Sequence, residues 1–252
     1  MNEVIRQLRE RKSVRVFTQQ EITPEEKRLI LEAAVQAPTA GNQQLYTILD
    51  ITDPEIREML VDTCDHQPFI AQAKLVLIFC ADCLKWRDAF AYAGCAPRAP
   101  GAGDLLLAVN DALIAAQNAV VAAHSLGIGS CYIGDIMENY EQQRELLHLP
   151  EYVFPAAMLV FGYPTRQQQS REKPVRSPMA QIIHENGYRR MDAAELQTLL
   201  QCKAGRTEYT KWIQAFCKRK YNSDFSREIG GKVFGAVSIK NTRTWANDML
   251  PP

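Results

Sequence analysis

A long apolar segment, residues 104–126, constrains the fold of this chain more than any other stretch of its sequence. It contains no lysine or arginine and is apolar around nearly the whole circumference of a helix. Its polar interruptions are Asn110, Asp111, Gln117, Asn118 and His124. These make it a poor membrane span, because a spanning helix needs about 20 predominantly apolar residues in a row. The pattern predicts a helix buried on most of its sides, either in a core or against a second subunit.

Helical and extended patterns alternate along the rest of the chain. Helices are predicted at residues 2–11, 24–37 and 139–148, with a further one beginning at Asp53-Pro54, and strands at residues 45–52, 74–80 and 156–162. Residues 96–103, 128–135 and 166–178 are predicted as loops or turn-rich connectors, and the tail beyond residue 191 as helical. Thr23 and Glu26 have the spacing of a capping box. The 252 residues therefore indicate a layered α/β or α+β domain with room for an extension.

The composition argues against a broad charged surface. Lysine and arginine together number 29, as do aspartate and glutamate, so the formal net charge is zero. We therefore expect neither nucleic acid nor a membrane as a partner. The seven cysteines are odd in number and the N-terminus carries no apolar signal core. We expect reduced thiols in a cytoplasmic protein.

Two short basic clusters stand out in this neutral chain. One is Arg11-Lys12-Ser13-Val14-Arg15 and the other is Lys173-Pro174-Val175-Arg176. Arginine matches phosphate oxygens two at a time, so clusters that converge would bind one compact anion such as a phosphomonoester. The alternative is that the first cluster only complements the dipole of the preceding helix and the second is a charged surface loop.

Two neutral segments are candidates for contact with a flat ligand. Pro38-Thr39-Ala40-Gly41-Asn42-Gln43-Gln44 offers a hydroxyl and three amides, which suit both edges of a pyrimidine-dione ring; an ordinary helix-to-strand turn is the alternative. The second segment, residues 127–135, lacks the G-x-G-x-x-G spacing, so a Rossmann site is not indicated. Its glycines let backbone groups approach a ligand closely, or they form a tight loop and nothing more.

The cysteines and histidines give no catalytic or metal pattern. Cys80 and Cys83 have C-x-x-C spacing, but no second pair follows, as a zinc or iron–sulfur site requires. We interpret the cysteines as small core or strand-end residues and predict no metal site. The four histidines form no H-E-x-x-H pattern, and the G-x-S-x-G and phosphate-loop sequences of hydrolases and triphosphatases are absent.

Taken in order, these motifs resemble the FMN-dependent nitroreductase family over about residues 1–190. The segments that carry the resemblance are residues 11–17, 37–44, 126–134, 161–164, 173–176 and 184–188. The resemblance implies an α+β fold with a central, mainly antiparallel sheet flanked by helices. It also implies an intertwined homodimer with two FMN sites at the subunit interface. On this basis residues 1–190 are the FMN-binding domain and residues 191–252 a helical extension.

The resemblance further implies which residues hold the cofactor. Those of one subunit that bind the phosphate, the ribityl chain and the pyrimidine edge are Arg11, Lys12, Ser13, Arg15, Lys173 and Arg176. Those of the second subunit that contact the ring are Pro38, Thr39, Asn42 and Gln44. Those that pass along the ring face and the N5 edge are Tyr132, Ile133, Gly134 and Asp135. The chain departs from the family pattern at Leu45-Tyr46, at the proline inside Lys173–Arg176 and at Gly134-Asp135.

The implied activity is an NAD(P)H-dependent FMN oxidoreductase that reduces nitroaromatics, quinones or similar acceptors by ping-pong hydride transfer. The flavin carries the chemistry, so no catalytic side chain is predicted, and Arg15 is expected to favour the reduced flavin at N1–C2=O. Two alternatives stay open. One is a non-enzymatic flavin-binding or redox-sensing protein that uses Cys80 and Cys83, and the other is a specialised flavin reductase or dehalogenase on the same fold.

Overall fold

A computed structural model describes residues 1–224 and 226–227. The helices of four or more residues are α1 Glu3–Glu10, α2 Pro24–Val35, α3 Pro54–Thr63, α4 Phe69–Gln72, α5 Leu84–Tyr92, α6 Ala102–Ser125, α7 Tyr140–Leu146, α8 Arg166–Ser170, α9 Ala193–Ala204 and α10 Tyr209–Lys220. The strands are β1 Tyr46–Asp50, β2 Leu75–Asp82, β3 Gly129–Ile133 and β4 Val153–Gly162. The described residues divide into two compact units, Met1–Arg171 and Glu172–Arg227.

A four-stranded sheet organises the first unit, in the order β1-β2-β4-β3 with every neighbouring pair antiparallel. The central strands β2 and β4 are buried along their whole length. A continuous apolar run is typical of a strand covered on both faces, which is why residues 74–80 were recognisable from the sequence. The predicted α+β class with a central antiparallel sheet flanked by helices is confirmed.

The two faces of the sheet carry separate cores, because side chains alternate along a strand. Leu77 and Phe79 face the core that α2 and α6 cover. Ile78 and Cys80 face the second core, which also contains Leu60 of α3 and other residues of that side. The sheet is therefore the middle layer of three.

Helix α6 is the buried helix expected from residues 104–126. It packs against α2 and against the sheet, and its inward alanines are fully buried. By length and composition alone it is also the one helix among the described residues that could cross a membrane. The core helix of a globular protein can have the same length and composition, and the packing of α6 is that of a core helix.

Two local predictions differ from the structure, and the helices α4 and α5 were not predicted. Residues 128–135, expected as turns, contain strand β3, because Gly129–Ile133 pairs with β4 along its whole length. Residues 166–178, expected as a connector, begin with α8, which Thr165 caps. Helix α5 was not predicted, because its short and weakly amphipathic sequence follows the end of β2 directly. In each case tertiary pairing or packing outweighs the local signal.

The second unit contains the two helices α9 and α10 of the expected helical tail. Asp192 and Glu195 form a capping box at the start of α9. On α10 the rings of Trp212 and Phe216 stack with centroids 5.1 Å apart. The domain boundary at residue 190 stays a prediction, and residues 225 and 228–252 of the expected extension lie outside the described residues.

Candidate functional site

The first basic segment lies along strand β3. Ser13 forms a parallel bridge with Ser130, and the Val14 amide donates to the Ser130 carbonyl at 2.9 Å. Val14 is buried while Arg15 on its far side is exposed. The segment Arg11–Arg15 is therefore extended where it pairs with β3, and its cations lie at this edge of the sheet.

The guanidinium of Arg11 has a buried donor without an acceptor. Its Nη1 atom is shielded from solvent and makes no hydrogen bond within the part of the chain that the structure describes. Burial raises the pKa of the Tyr132 phenol to about 12, against the opposing effect of the nearby Arg11 charge. Burial likewise raises the pKa of the Cys131 thiol, and the charges of Arg15 and Arg11 oppose it. Both cations therefore act on the same part of β3.

Lys12 and Ser13 are engaged with the end of α8. The Lys12 ammonium donates to the carbonyls of Gln169, at 2.6 Å, and Arg171. The Arg171 guanidinium donates to the Ser13 carbonyl at 2.6 Å. These contacts fix the backbone of the basic segment between β3 and α8.

The residues predicted to lie along the face of the flavin ring, Tyr132 to Asp135, run from the end of β3 into a short turn. Ile133 is buried and Gly134 is exposed. The Tyr132 hydroxyl donates to Oε1 of Gln117 on α6 at 3.4 Å. The Asp135 carboxylate accepts a hydrogen bond from Gln67 Nε2 at 2.9 Å. The structure thus brings the Arg11–Arg15 segment and the Tyr132–Asp135 segment together at one sheet edge.

The neutral loop lies at a different position in the same unit. Pro38, Gly41 and Asn42 are exposed, whereas Thr39 and Gln44 are half-buried. Gln44 Nε2 donates to the Val35 carbonyl at 3.2 Å. Within the described residues of one chain, no hydrogen bond or ion pair joins residues 38–44 to residues 11–15. The loop leads into β1 and the basic segment lies along β3, and these are the two edge strands of the sheet. That the two groups meet across two subunits stays a prediction.

Lys173 and Arg176 belong to the second compact unit. Arg176 is exposed, and its carbonyl is 3.9 Å from the Cys202 thiol. Their contribution to a phosphate site stays a prediction.

Sequence reasoning missed several neighbours of these residues. The Arg15 guanidinium lies 5.9 Å from the centroid of the Phe69 ring, and the Arg15 amide is 3.4 Å from Oε1 of the buried Gln168. Gln67, the partner of Asp135, also belongs to this group. No local pattern marks Gln67, Phe69 or Gln168, because they reach the site only through long-range packing.

The two cysteines of the C-x-x-C sequence pack in different cores. Cys80 belongs to the core that contains Ile78, and Cys83 to the core on the α6 side. Burial raises the pKa of Cys80 to about 12 and that of Cys83 to about 11. Two thiols on opposite sides of a sheet do not form a dithiol pair. In the part of the chain that the structure describes, no group of three or more potential metal ligands comes together.

An aromatic-lined cavity lies beside the neutral loop. Its volume is about 340 Å³, and its lining includes Leu45, Trp86 and Phe90. The Trp86 indole N–H donates to the Gln43 carbonyl at 2.7 Å, which ties α5 to the loop. The volume is within the range of small-molecule sites, and the lining also includes the charged residues Arg87, Arg98 and Asp104.

The sequence profile described as "Nitroreductase family" matches residues 8–163, which is more than half of the chain. The chain belongs to the nitroreductase family. It is 32% identical to the FMN reductase [NAD(P)H] of Bacillus subtilis over 251 residues, covering 99% of this chain and 90% of that protein. It is 36% identical to the oxygen-insensitive NADPH nitroreductase of Salmonella typhimurium over 182 residues, covering 72% of each.

A solved structure extends this similarity to three dimensions. The NADPH:FMN oxidoreductase from Vibrio harveyi, complexed with NAD⁺, superposes with a TM-score of 0.80 and 28% identity. The match covers 94% of this chain and 98% of that chain. The nitroreductase fold of this chain is therefore supported both by its own sheet and by its relatives.

The residues of this nitroreductase-family chain fit FMN. Arg11 provides a buried guanidinium donor that has no acceptor among the described residues, and a donor of this kind can bind a phosphate oxygen. The exposed neutral loop provides uncharged donors and acceptors of the kind that a flavin ring needs.

Proposed function

We propose that this protein is an FMN-dependent oxidoreductase that uses NAD(P)H to reduce small-molecule acceptors. The observation that carries the proposal is the buried, unpaired Nη1 of Arg11 beside the β3 edge. The named activities of the relatives, FMN reductase and NADPH nitroreductase, support it. Bound FMN would supply the redox chemistry, taking a hydride from NAD(P)H and passing it to the acceptor in a ping-pong cycle.

The side chains of the β3 edge would hold and orient the cofactor. Arg11 would bind the phosphate, assisted by Lys173 and Arg176, and Arg15 would lie near the electron-rich edge of the ring. Lys12 and Ser13 would fix the segment's backbone, since both already contact the end of α8. Solvent can protonate the product, so no acid or base among the side chains is assigned.

The protein would act as a homodimer, with the loop of one subunit completing the site of the other. Apolar residues along the outward stripe of α6, Leu106, Leu107, Leu113 and Ile114, are between 39% and 46% exposed. Val4, Ile5 and Leu8 on the adjacent α1 are between 45% and 57% exposed. Exposed apolar residues grouped on neighbouring helices are typical of an interface, and a second copy of the same helices would cover them.

The acceptor would be small and planar. The cavity beside the loop has Trp86 and Phe90 among its lining residues, and aromatic side chains favour stacking with flat rings. Nitroaromatics, quinones and free flavins all have this shape. We place the protein in the cytoplasm, where NADH and NADPH are available and its seven cysteines would stay reduced.

An anaerobic titration tests this function. The purified protein is loaded with FMN and mixed with NADH or NADPH in the absence of oxygen, while the absorbance of the flavin is followed. Loss of the yellow colour with at least one nucleotide, and its return on addition of a quinone, is the expected result. Bound flavin that stays oxidised with both nucleotides would contradict the proposal and favour a binding or sensing protein.

A further inference from the structure

A buried carboxylate in the middle of α6 fixes the neutral loop. Asp111 is 3% exposed. One of its oxygens accepts hydrogen bonds from the Thr39 hydroxyl and, at 3.2 Å, from the Leu45 amide. The other accepts from the Ala40 amide at 3.0 Å. Two of the three donors belong to the loop, and the third, Leu45, is the residue between the loop and β1.

The charge of Asp111 has no cation beside it. None of the ion pairs in the described part of the chain includes this residue. Burying an ionised carboxylate is unfavourable unless hydrogen bonds replace its hydration. A carboxylate oxygen only accepts, so it can satisfy several converging donors that an amide could not. Asp111 therefore provides the hydrogen-bond acceptors for the donors of the loop.

The loop needs such an anchor, because its backbone adopts an unfavourable conformation. Gly41 has φ of 57°, and the non-glycine residues Asn42 and Gln44 have φ of 57° and 50°. Left-handed conformations are disfavoured for residues with a β-carbon and persist only where surrounding contacts impose them. The Thr39 hydroxyl, which donates to Asp111, also accepts from the Gln44 amide at 2.8 Å. The constraint thus passes from Asp111 through Thr39 to Gln44.

We propose that Asp111 is a positioning residue for the flavin ring. In the flavin-free protein Asp111 already holds Asn42 and Gln44 in the conformation that contacts the ring. Binding of the flavin therefore does not have to order the loop. Asp111 itself touches no reacting atom. This inference rests on the proposed function, since it requires that the loop contact FMN.

The test compares two buried aspartates. Asp111→Asn keeps the size of the side chain but turns one acceptor into a donor that faces backbone N–H groups. The matched control is Asp82→Asn. Asp82 is 7% exposed and also accepts three hydrogen bonds, from the Thr47 hydroxyl at 2.6 Å and from two backbone amides at 3.0 and 3.2 Å. Unlike Asp111 it also has a cation nearby, the Lys85 ammonium at 3.8 Å. Its donors lie outside the loop.

Two measurements separate positioning from stability. The first is amide hydrogen exchange at Ala40 and Leu45 in the flavin-free protein, and the second is the dissociation constant of FMN and of riboflavin. For Asp111→Asn we expect exchange at both amides to rise at least about tenfold and both flavins to bind at least about tenfold more weakly. For Asp82→Asn we expect a similar fall in Tm, with flavin affinity within about twofold of the wild type.

Wild-type exchange and wild-type flavin affinity in Asp111→Asn would overturn the inference while leaving the proposed function intact. An equal loss of flavin affinity in Asp82→Asn would also overturn it, because the effect would then be one of general stability. A wild-type protein that binds neither flavin would contradict the proposed function, and the role of Asp111 would fail with it.

A second pair of variants serves if Asp111→Asn does not fold. Thr39→Val removes the hydroxyl that donates to Asp111 and preserves the shape of the side chain, whereas Thr39→Ser keeps the hydroxyl. Exchange at the Gln44 amide, which donates to the Thr39 hydroxyl, should rise in flavin-free Thr39→Val and stay near the wild-type rate in Thr39→Ser. Equal exchange in the two variants would overturn the inference.

Discussion

Val14 packs directly against the backbone of Gly129. A β-carbon built at Gly129 would lie 2.6 Å from Cγ2 of Val14, far inside van der Waals contact. The same Val14 donates its amide to the Ser130 carbonyl. The absence of a side chain at residue 129 therefore lets the basic segment lie flat along β3, with Arg11 and Arg15 on either side of the contact.

Gly129→Ala should displace the basic segment and weaken FMN binding. The added methyl group meets the branched Val14 side chain, and overpacking of this kind costs about 1–3 kcal/mol. We expect FMN affinity to fall roughly tenfold, as measured by quenching of flavin fluorescence. Gly187→Ala is the control, because a β-carbon there meets nothing within 4 Å.

A compensating change tests whether the effect comes from this contact. In the double variant Gly129→Ala/Val14→Ala the methyl group has room, so FMN affinity should recover most of the loss. If the double variant binds FMN more weakly than either single variant, the contact does not position the segment.

Arg11→Ala should reduce the affinity for FMN but not for riboflavin, which has no phosphate. A hydrogen bond to a charged group contributes about 1.5–3 kcal/mol, so the FMN dissociation constant should rise roughly 10- to 150-fold. Arg6→Ala is the control, because Arg6 lies on α1, which ends just before Arg11, and is paired with Glu3 and Glu10. An equal loss of affinity for both flavins would assign Arg11 to the ring rather than to the phosphate.

Thiol labelling should distinguish the buried from the exposed cysteines. The pKa of Cys83, raised by burial from 9.0 to about 11, leaves only about one thiolate in a thousand at pH 8. Cys64 and Cys80, with pKa values raised to about 12, are protected further. We expect fast alkylation of the exposed Cys95 and Cys217 in native protein, identified by mass spectrometry.

The sign of the pH dependence provides a further check on the thiols. At pH 9, the ordinary pKa of a thiol, only about one Cys83 in a hundred is a thiolate, and labelling of Cys83 should increase as the pH rises toward 11. Rapid labelling of Cys80 and Cys83 together at pH 7, or their oxidation to one disulfide in the native protein, would support the redox-sensing alternative.

Leu113→Asp should weaken the proposed dimer. It places a charge on the outward stripe of α6, where a partner helix would leave it buried and unpaired. We expect the dimer dissociation constant, measured by analytical ultracentrifugation, to rise at least about tenfold. Met59→Asp is the control, because Met59 is 51% exposed on α3, away from this stripe. A wild-type monomer at micromolar concentration would refute the dimer directly.

The features that the sequence predicted correctly are local. The Thr23–Glu26 capping box is present because both residues lie within one turn of α2. The segment that forms α6 was recognisable from its sequence, because a helix that is apolar around most of its circumference is expected to be buried on most sides. The basic segment also stood out, with three cations within five residues, but its role in cofactor binding stays a prediction.

Features that depend on distant partners were not predictable. Asp111 looked like an interruption of an apolar run, and its role is visible only when the loop, 66 to 72 residues earlier in the chain, donates to it. Residues 129–133 looked like a turn because of the neighbouring glycines, but pairing with β4 makes them a strand. Gln67 carries no sequence signal, since its contact with Asp135 depends on the packing of two separate elements.

Mixed dimers test the central claim, that the basic segment of one subunit and the loop of the other form one flavin site. One partner carries Arg11→Ala, and the other carries Asn42→Gly and Gln44→Gly, which remove both amides at positions where glycine accepts the positive φ. A shared site places both defects in one half of the mixed dimer and leaves the other half intact. We therefore predict one site of wild-type FMN affinity per mixed dimer and none in either parent. Mixed dimers with no such site would contradict the account, because each site would then be built within a single subunit.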